Sequence, residues 1–164
     1  MKVTSALANK IVKQLEMKKS DILNDQKRNA FYEKFPDEES VEIPYYNFNE
    51  TQNEIEKIDN SIMEIKHCIN VFNSTTKVNN MDMTIDKVLV RMAQLNNHLN
   101  DVTRMANSKK KSVSSAFSSK DSFVFINYEL SDASAYVDKL RKEIMDIQLN
   151  LDTTNMSIAF DIPD

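Results

Sequence analysis

The sequence predicts a mainly α protein: a four-helix antiparallel bundle with heptad seams and a small β element made from short extended segments. Three observations carry that expectation. Apolar residues recur at alternating steps of three and four along three long stretches, which puts them on one helical stripe. None of the 164 residues is glycine. The stretches are separated by polar or proline-bearing connections, and no internal boundary divides residues 1–164 into more than a single domain.

The first helix is expected over about 3–34, where Val3, Leu7, Ile11 and Leu15 recur every four residues and Ile22, Leu23, Ala30 and Phe31 broaden the stripe. A strict step of four drifts around the helix, so this element should wrap across its partners. Pro36 stops it. Residues 36–50 carry two prolines, and Val41 to Tyr46 must be extended around Pro44, giving a strand at about 41–46. Asn49 with Gln52 then forms a plausible capping pair for a second helix at about 49–73. Its seam is Ile55, Ile58, Ile62, Ile65, Ile69 and Phe72.

Residues 73–82 form a polar crossover in which asparagine should supply the left-handed geometry that glycine normally supplies. A third helix follows at about 84–108 on Ile85, Val88, Met92, Leu95, Leu99 and Val102. The serine-heavy run 108–122 has the composition of a mobile loop. A β-branched and aromatic strand at about 123–129 precedes a last helix at about 131–153, seamed by Val137, Leu140, Ile144, Ile147 and Leu151 and capped by Ser131 or Asp132. Residues 156–162 alternate apolar and polar and read as a final strand. The strands at 123–129 and 156–162 are expected to pair with each other or with 41–46.

Composition narrows function by exclusion. Without glycine there is no phosphate-cradling loop, dinucleotide fingerprint, nucleophile elbow or Gly-dependent calcium loop. The chain is 41% hydrophobic and 28% charged, the balance of a foldable protein. A net charge of -4 offers no general attraction to nucleic acid or anionic lipid. One cysteine, Cys68, permits no intrachain disulfide and fits a cytoplasmic protein. No apolar run approaches the roughly 20 residues of a membrane span, and the first residues lack a signal-peptide core.

The chemical candidates are few. His67 should lie opposite its isoleucine seam, His98 beside its own, and Cys68 cannot share a site with His67 because adjacent helical side chains diverge. Glu64-Ile65-Lys66-His67 has the Glu-x-x-His spacing of dimetal bundles only once, so no metal site and no cofactor is expected. No nucleophile has an adjacent base, and the expectation is a protein without enzymatic activity. The most suggestive polar set is Asn70, Asn73, Thr75, Thr76 and Lys77, expected to face Asp86 and Arg91. Amides, hydroxyls and two cations suit a small anionic, nucleotide-like ligand, and equally suit a loop satisfying its own backbone. Arg104 with Lys109, Lys110 and Lys111 could touch an anionic partner or simply complement a helix C-terminus.

The motif order Ile69-Asn70, Asn73, Thr76-Lys77, then Thr84, Asp86 and Arg91, then an asparagine-bearing tail from Asn155 to Ile162, resembles the septicolysin family of small bacterial helical proteins. The chain departs from that pattern in its glycine-free crossover and in Met156, where an aromatic is expected. The family name implies a pore-forming toxin, but the sequence has no glycine-rich membrane hairpin and no tryptophan. The resemblance therefore bears on architecture. The expected function is protein–protein association as a homo-oligomer, because long seams and strand edges favour self-association. Sequestration of the small anionic ligand is the alternative, and pore formation ranks last.

Overall fold

The structure, a computed structural model, describes residues 1–114 and 122–163. Four helices, α1 (Ser5–Asn29), α2 (Phe48–Thr75), α3 (Ile85–Ala106) and α4 (Leu130–Ser157), dominate it. Four short strands accompany them: β1 (Lys2–Thr4), β2 (Lys111–Ser114), β3 (Ser122–Phe125) and β4 (Ala159–Asp161). The mainly α class with a small antiparallel β element is thus the one expected. The chain resolves into two compact units, Met1–Asn73 with Asn155–Asp164, and Ser74–Thr154.

In the first unit α1 and α2 run antiparallel. Gln52 Nε2 donates to Gln26 Oε1 at 2.9 Å, Lys19 meets Asp59 at 2.6 Å and Lys66 meets Glu16 at 2.8 Å, so rising numbers on one helix match falling numbers on the other. Their shared core is Val3, Ala8, Val12, Ile65, Ile69 and Ile162, with Ile11, Leu15, Ile62, Cys68 and Phe160 packed against it. Thr4 caps α1, its hydroxyl accepting from Leu7 N at 3.4 Å. β1 and β4 pair antiparallel with Val3 opposite Phe160. Phe160 stacks on Phe72 of α2 at 4.4 Å between ring centres, so the strand pair is clamped onto the helices by an aromatic contact.

The second unit pairs α3 with α4, again antiparallel: Arg91 reaches Glu143, His98 lies against Tyr136, and the Tyr128 hydroxyl donates to Met105 O. Val78, Ile85, Val88, Leu95, Val137, Leu140, Ile147 and Leu151 are buried. Each such side chain contributes on the order of 1.5–3 kcal/mol. β2 and β3 form a hairpin between the two helices, with Lys111 opposite Phe125 and Val113 opposite Phe123.

Several expectations need correction. α1 ends at Asn29 instead of about 34; Phe31, Tyr32 and Phe35 are exposed because α2 begins only at Phe48 and offers them no facing surface. Its buried residues are Ser5, Ala8 and Val12; of the step-of-four stripe Val3 is buried and Ile11 and Leu15 pack against the core, whereas Leu7 is 46% exposed. Small residues at 5 and 8 let the helix approach its neighbours closely, which a count of large apolar residues overlooks. Residues 41–46 form no strand. Asn47 caps α2 in place of Asn49, accepting from Glu50 N at 3.3 Å. α4 begins one residue early, so Ser131 and Asp132 lie in its first turn, and it continues to Ser157 because Thr154 is fully buried. The strands at 123–129 and 156–162 contract to β3 and β4. They pair with β2 and β1, two segments too short and too polar to announce themselves. Residues 115–121 of the run expected to be mobile lie outside the described residues.

Candidate functional site

The crossover between α2 and α3 is built from its own backbone. Val78 N donates to Met83 O at 3.0 Å, Met81 N to Val78 O at 3.1 Å and Ile85 N to Thr76 O at 3.0 Å. Lys77 and Thr84 form an isolated antiparallel bridge. Asn80 takes φ 59°, the left-handed turn position that asparagine tolerates better than other non-glycine residues. Val78 is buried beneath the turn. Thr154 of α4 holds the far side: its hydroxyl accepts from Asn79 N at 2.9 Å and donates to Asn150 O at 2.8 Å. The Asn80 side chain meets Asn150 at 3.2 Å. The loop is thus held by Asn79, Asn80, Asn150 and Thr154 and by its own backbone, with Thr76 contributing its carbonyl oxygen.

The two cations of the predicted site are separately engaged. Lys77 pairs with Asp82 within the loop. That hydrogen bond first, and the lysine charge second, hold Asp82 below its ordinary carboxylate range. The Arg91 guanidinium donates to Glu143 Oε1 at 2.8 Å, one helix away. Asp86 accepts from the Thr84 hydroxyl at the start of α3. This bond is the largest cause that lowers its pKa; it outweighs the opposing desolvation, with the backbone N–H and the charge of Lys87 adding to the lowering. Asn73 belongs to the first unit, while Thr75, Thr76, Lys77, Asp86 and Arg91 belong to the second. The amide oxygens of Asn73 and Asn155 are buried with no hydrogen-bond partner among the described residues.

The basic patch is also partly committed. Arg104 pairs with Asp101 one turn earlier on α3. Lys109 and Lys110 are exposed at the foot of the hairpin, and Ile126 N donates to Lys110 O at 3.4 Å, extending the ladder by a step. Lys111 lies on β2 with its ammonium 3.7 Å above the centre of the Phe123 ring, a cation–π contact. Antiparallel partners share a face, so Lys111, Val113, Phe123 and Phe125 project from one side of the hairpin. Val113 is 62% exposed, Phe123 53% and Phe125 64%. The serine-rich composition around β2 reads as loop and hides this apolar face, for which Phe123-Val124-Phe125 is the available signal.

His67 is exposed, and His98 stands 5.6 Å from the Tyr136 ring. Among the described residues no group of three or more His, Cys, Asp or Glu side chains could hold a metal ion. Among the same residues no helix is long and apolar enough to cross a membrane.

No family model matches the chain, and neither does any curated protein. Among solved structures it is similar to a functionally unknown conserved protein from Corynebacterium diphtheriae, with a TM-score of 0.70 and 16% identity. The match covers 98% of this chain and 100% of that one. At that identity the likeness shows the fold alone.

Proposed function

We propose that this protein is a non-enzymatic, cytoplasmic protein that acts through protein–protein association, with a second copy of itself as the first partner. The observation that carries the reading is the exposed apolar face of the β2–β3 hairpin. A two-stranded hairpin is marginally stable in water and gains independent stability when its apolar face packs or its edges acquire further strands. Val113, Phe123 and Phe125 stand together on that face, with Val124 on the reverse and both strand edges unpaired among the described residues. Such a surface fits face-to-face packing or edge pairing of two hairpins. Lys111, resting on Phe123, keeps its charge at the rim of the face while its stem covers the ring.

The alternative, capture of a small anionic ligand at the crossover, has weaker support. Lys77 and Arg91 already face Asp82 and Glu143, so an anion would have to displace a carboxylate from each. Pore formation draws on nothing beyond the family name. Light scattering from low to high micromolar concentration tests the association reading: the wild type should move from monomer mass to a multiple of it, and the triple variant V113S/F123S/F125S should remain monomeric with unchanged helical circular dichroism. A wild type that stays monomeric throughout overturns the reading.

A further inference from the structure

The first unit contains a cavity of about 380 Å³ that belongs neither to the crossover nor to the hairpin. Its walls come from three places: Ile11 and Leu15 on α1, Ile65 on α2, and Met1, Ile162 and Pro163 from the two ends of the chain. One rim is polar and is supplied by α2 alone, through Asn60, Ser61 and Glu64. Asn60 and Glu64 are four residues apart and therefore share a helix face. We infer that this cavity is a binding site for a small cationic amphiphile, whose apolar tail lies between α1 and the chain ends and whose ammonium meets Glu64.

The site is held in place by its own scaffolding. Met1 N donates to Ile162 O at 2.7 Å, and Ile162 N donates back to Met1 O at 2.9 Å, so the wall formed by the chain ends is pinned as a continuation of the β1–β4 ladder. Ile65 and Ile162 are members of the unit's buried core, which makes the floor rigid. A volume of this size falls toward the lower end of the roughly 300–1,000 Å³ typical of ligand pockets, with apolar walls and a few convergent polar groups. It suits a single chain or ring.

Charge selects the head group. The Met1 ammonium donates to Ile162 O in the wall formed by the chain ends, whereas the α2 rim carries Glu64, the charged side chain among the described residues that line the cavity. A carboxylate flanked by an amide and a hydroxyl offers acceptors in the directions an ammonium's three donors require. An anionic head would meet repulsion at the same place.

Titration of the full-length protein with decylammonium and with decanoate, each below its micellar concentration and followed by calorimetry, tests the assignment. Decylammonium should bind with a stoichiometry of one and at least about fivefold more tightly than decanoate. Glu64→Gln should erase that preference, while Glu56→Gln, an equal charge change elsewhere on α2, should leave it intact. Ser61→Trp, which fills the mouth from an exposed position whose hydroxyl donates to Lys57 O at 3.0 Å, should abolish binding of both probes. Absence of decylammonium binding to the wild type overturns the inference, as does equal or tighter binding of decanoate. Binding that survives Ser61→Trp also overturns it, by placing the amphiphile elsewhere.

Discussion

Among the described residues two antiparallel strand pairs differ in nearly everything except hydrogen bonding. β1 and β4 make a three-residue ladder, yet Val3 is buried, Phe160 stacks on Phe72, and Ile162 beyond the ladder is buried in the helical core. β2 and β3 make a longer, four-residue ladder in which every side chain described on β3 is exposed. Ladder length therefore says little about what a strand pair contributes. The first pair stabilises its unit because its side chains enter a core; the second holds an apolar face in solvent, where it is available to something outside the chain.

The largest expected effect would test that contrast directly. Phe72→Ala should destabilise the protein by about 3–5 kcal/mol in urea unfolding, since it removes a buried ring and the stacking partner of Phe160. Phe125→Ala, the removal of an equal ring from the hairpin, should change monomer stability by no more than about 0.5 kcal/mol. Comparable losses in dilute solution would erase the distinction between the two pairs.

A second substitution sharpens it by asking what replaces a strand clamp in the second unit. Thr154 is fully buried, and its hydroxyl is the acceptor for Asn79 N. Thr154→Val keeps the shape and leaves that N–H unsatisfied, which should cost about 1–3 kcal/mol and accelerate hydrogen exchange at Asn79. An isosteric valine that proves neutral would assign the crossover's stability to Val78 and Ile85 alone.

The smallest effect is a pH dependence at the start of α3. The folded carboxyl of Asp86 titrates below its unfolded counterpart, so its contribution is present above the unfolded carboxylate range and is lost as pH falls through the lowered folded value. The stability difference between wild type and Asp86→Asn should accordingly be constant near neutrality and shrink toward zero in acid. A difference that grows on acidification would reverse the sign and refute the Thr84 hydrogen bond as its cause.

How much of this was legible in the residues depends on whether a feature is local. The seams of α2, α3 and α4 could be read because large apolar side chains repeat at fixed steps, and Ile58, Ile65, Val88, Leu95, Val137 and Ile147 are indeed buried. The left-handed asparagine of the crossover was legible because glycine was absent and a turn was needed. The face of α1 was legible in part: Val3, Ile11 and Leu15 meet the core, while Ser5 and Ala8 are buried without carrying a hydrophobic signal. The partner of Arg91 was hidden: Glu143 lies 52 residues away, and only the register of α3 against α4 brings them together. Strand pairing failed for the same reason, because Lys2–Thr4 acquires its identity from Ala159–Asp161 and from nothing nearby.

That last pairing has a consequence for the order in which the protein can assemble. The contact between Met1 and Ile162 spans 161 residues, among the most non-local a chain of this length can make. The second unit is one unbroken stretch, Ser74–Thr154, whereas the first is interrupted and regains its last segment only after that stretch. On a ribosome, β1 emerges first and must wait for nearly the entire chain before β4 exists to receive it. Until then Val3 and the α1–α2 core around it lack the segment that buries them. Folding of the first unit should therefore finish when β4 reaches β1, with the stretch Ser74–Thr154 able to reach its native form before that pairing.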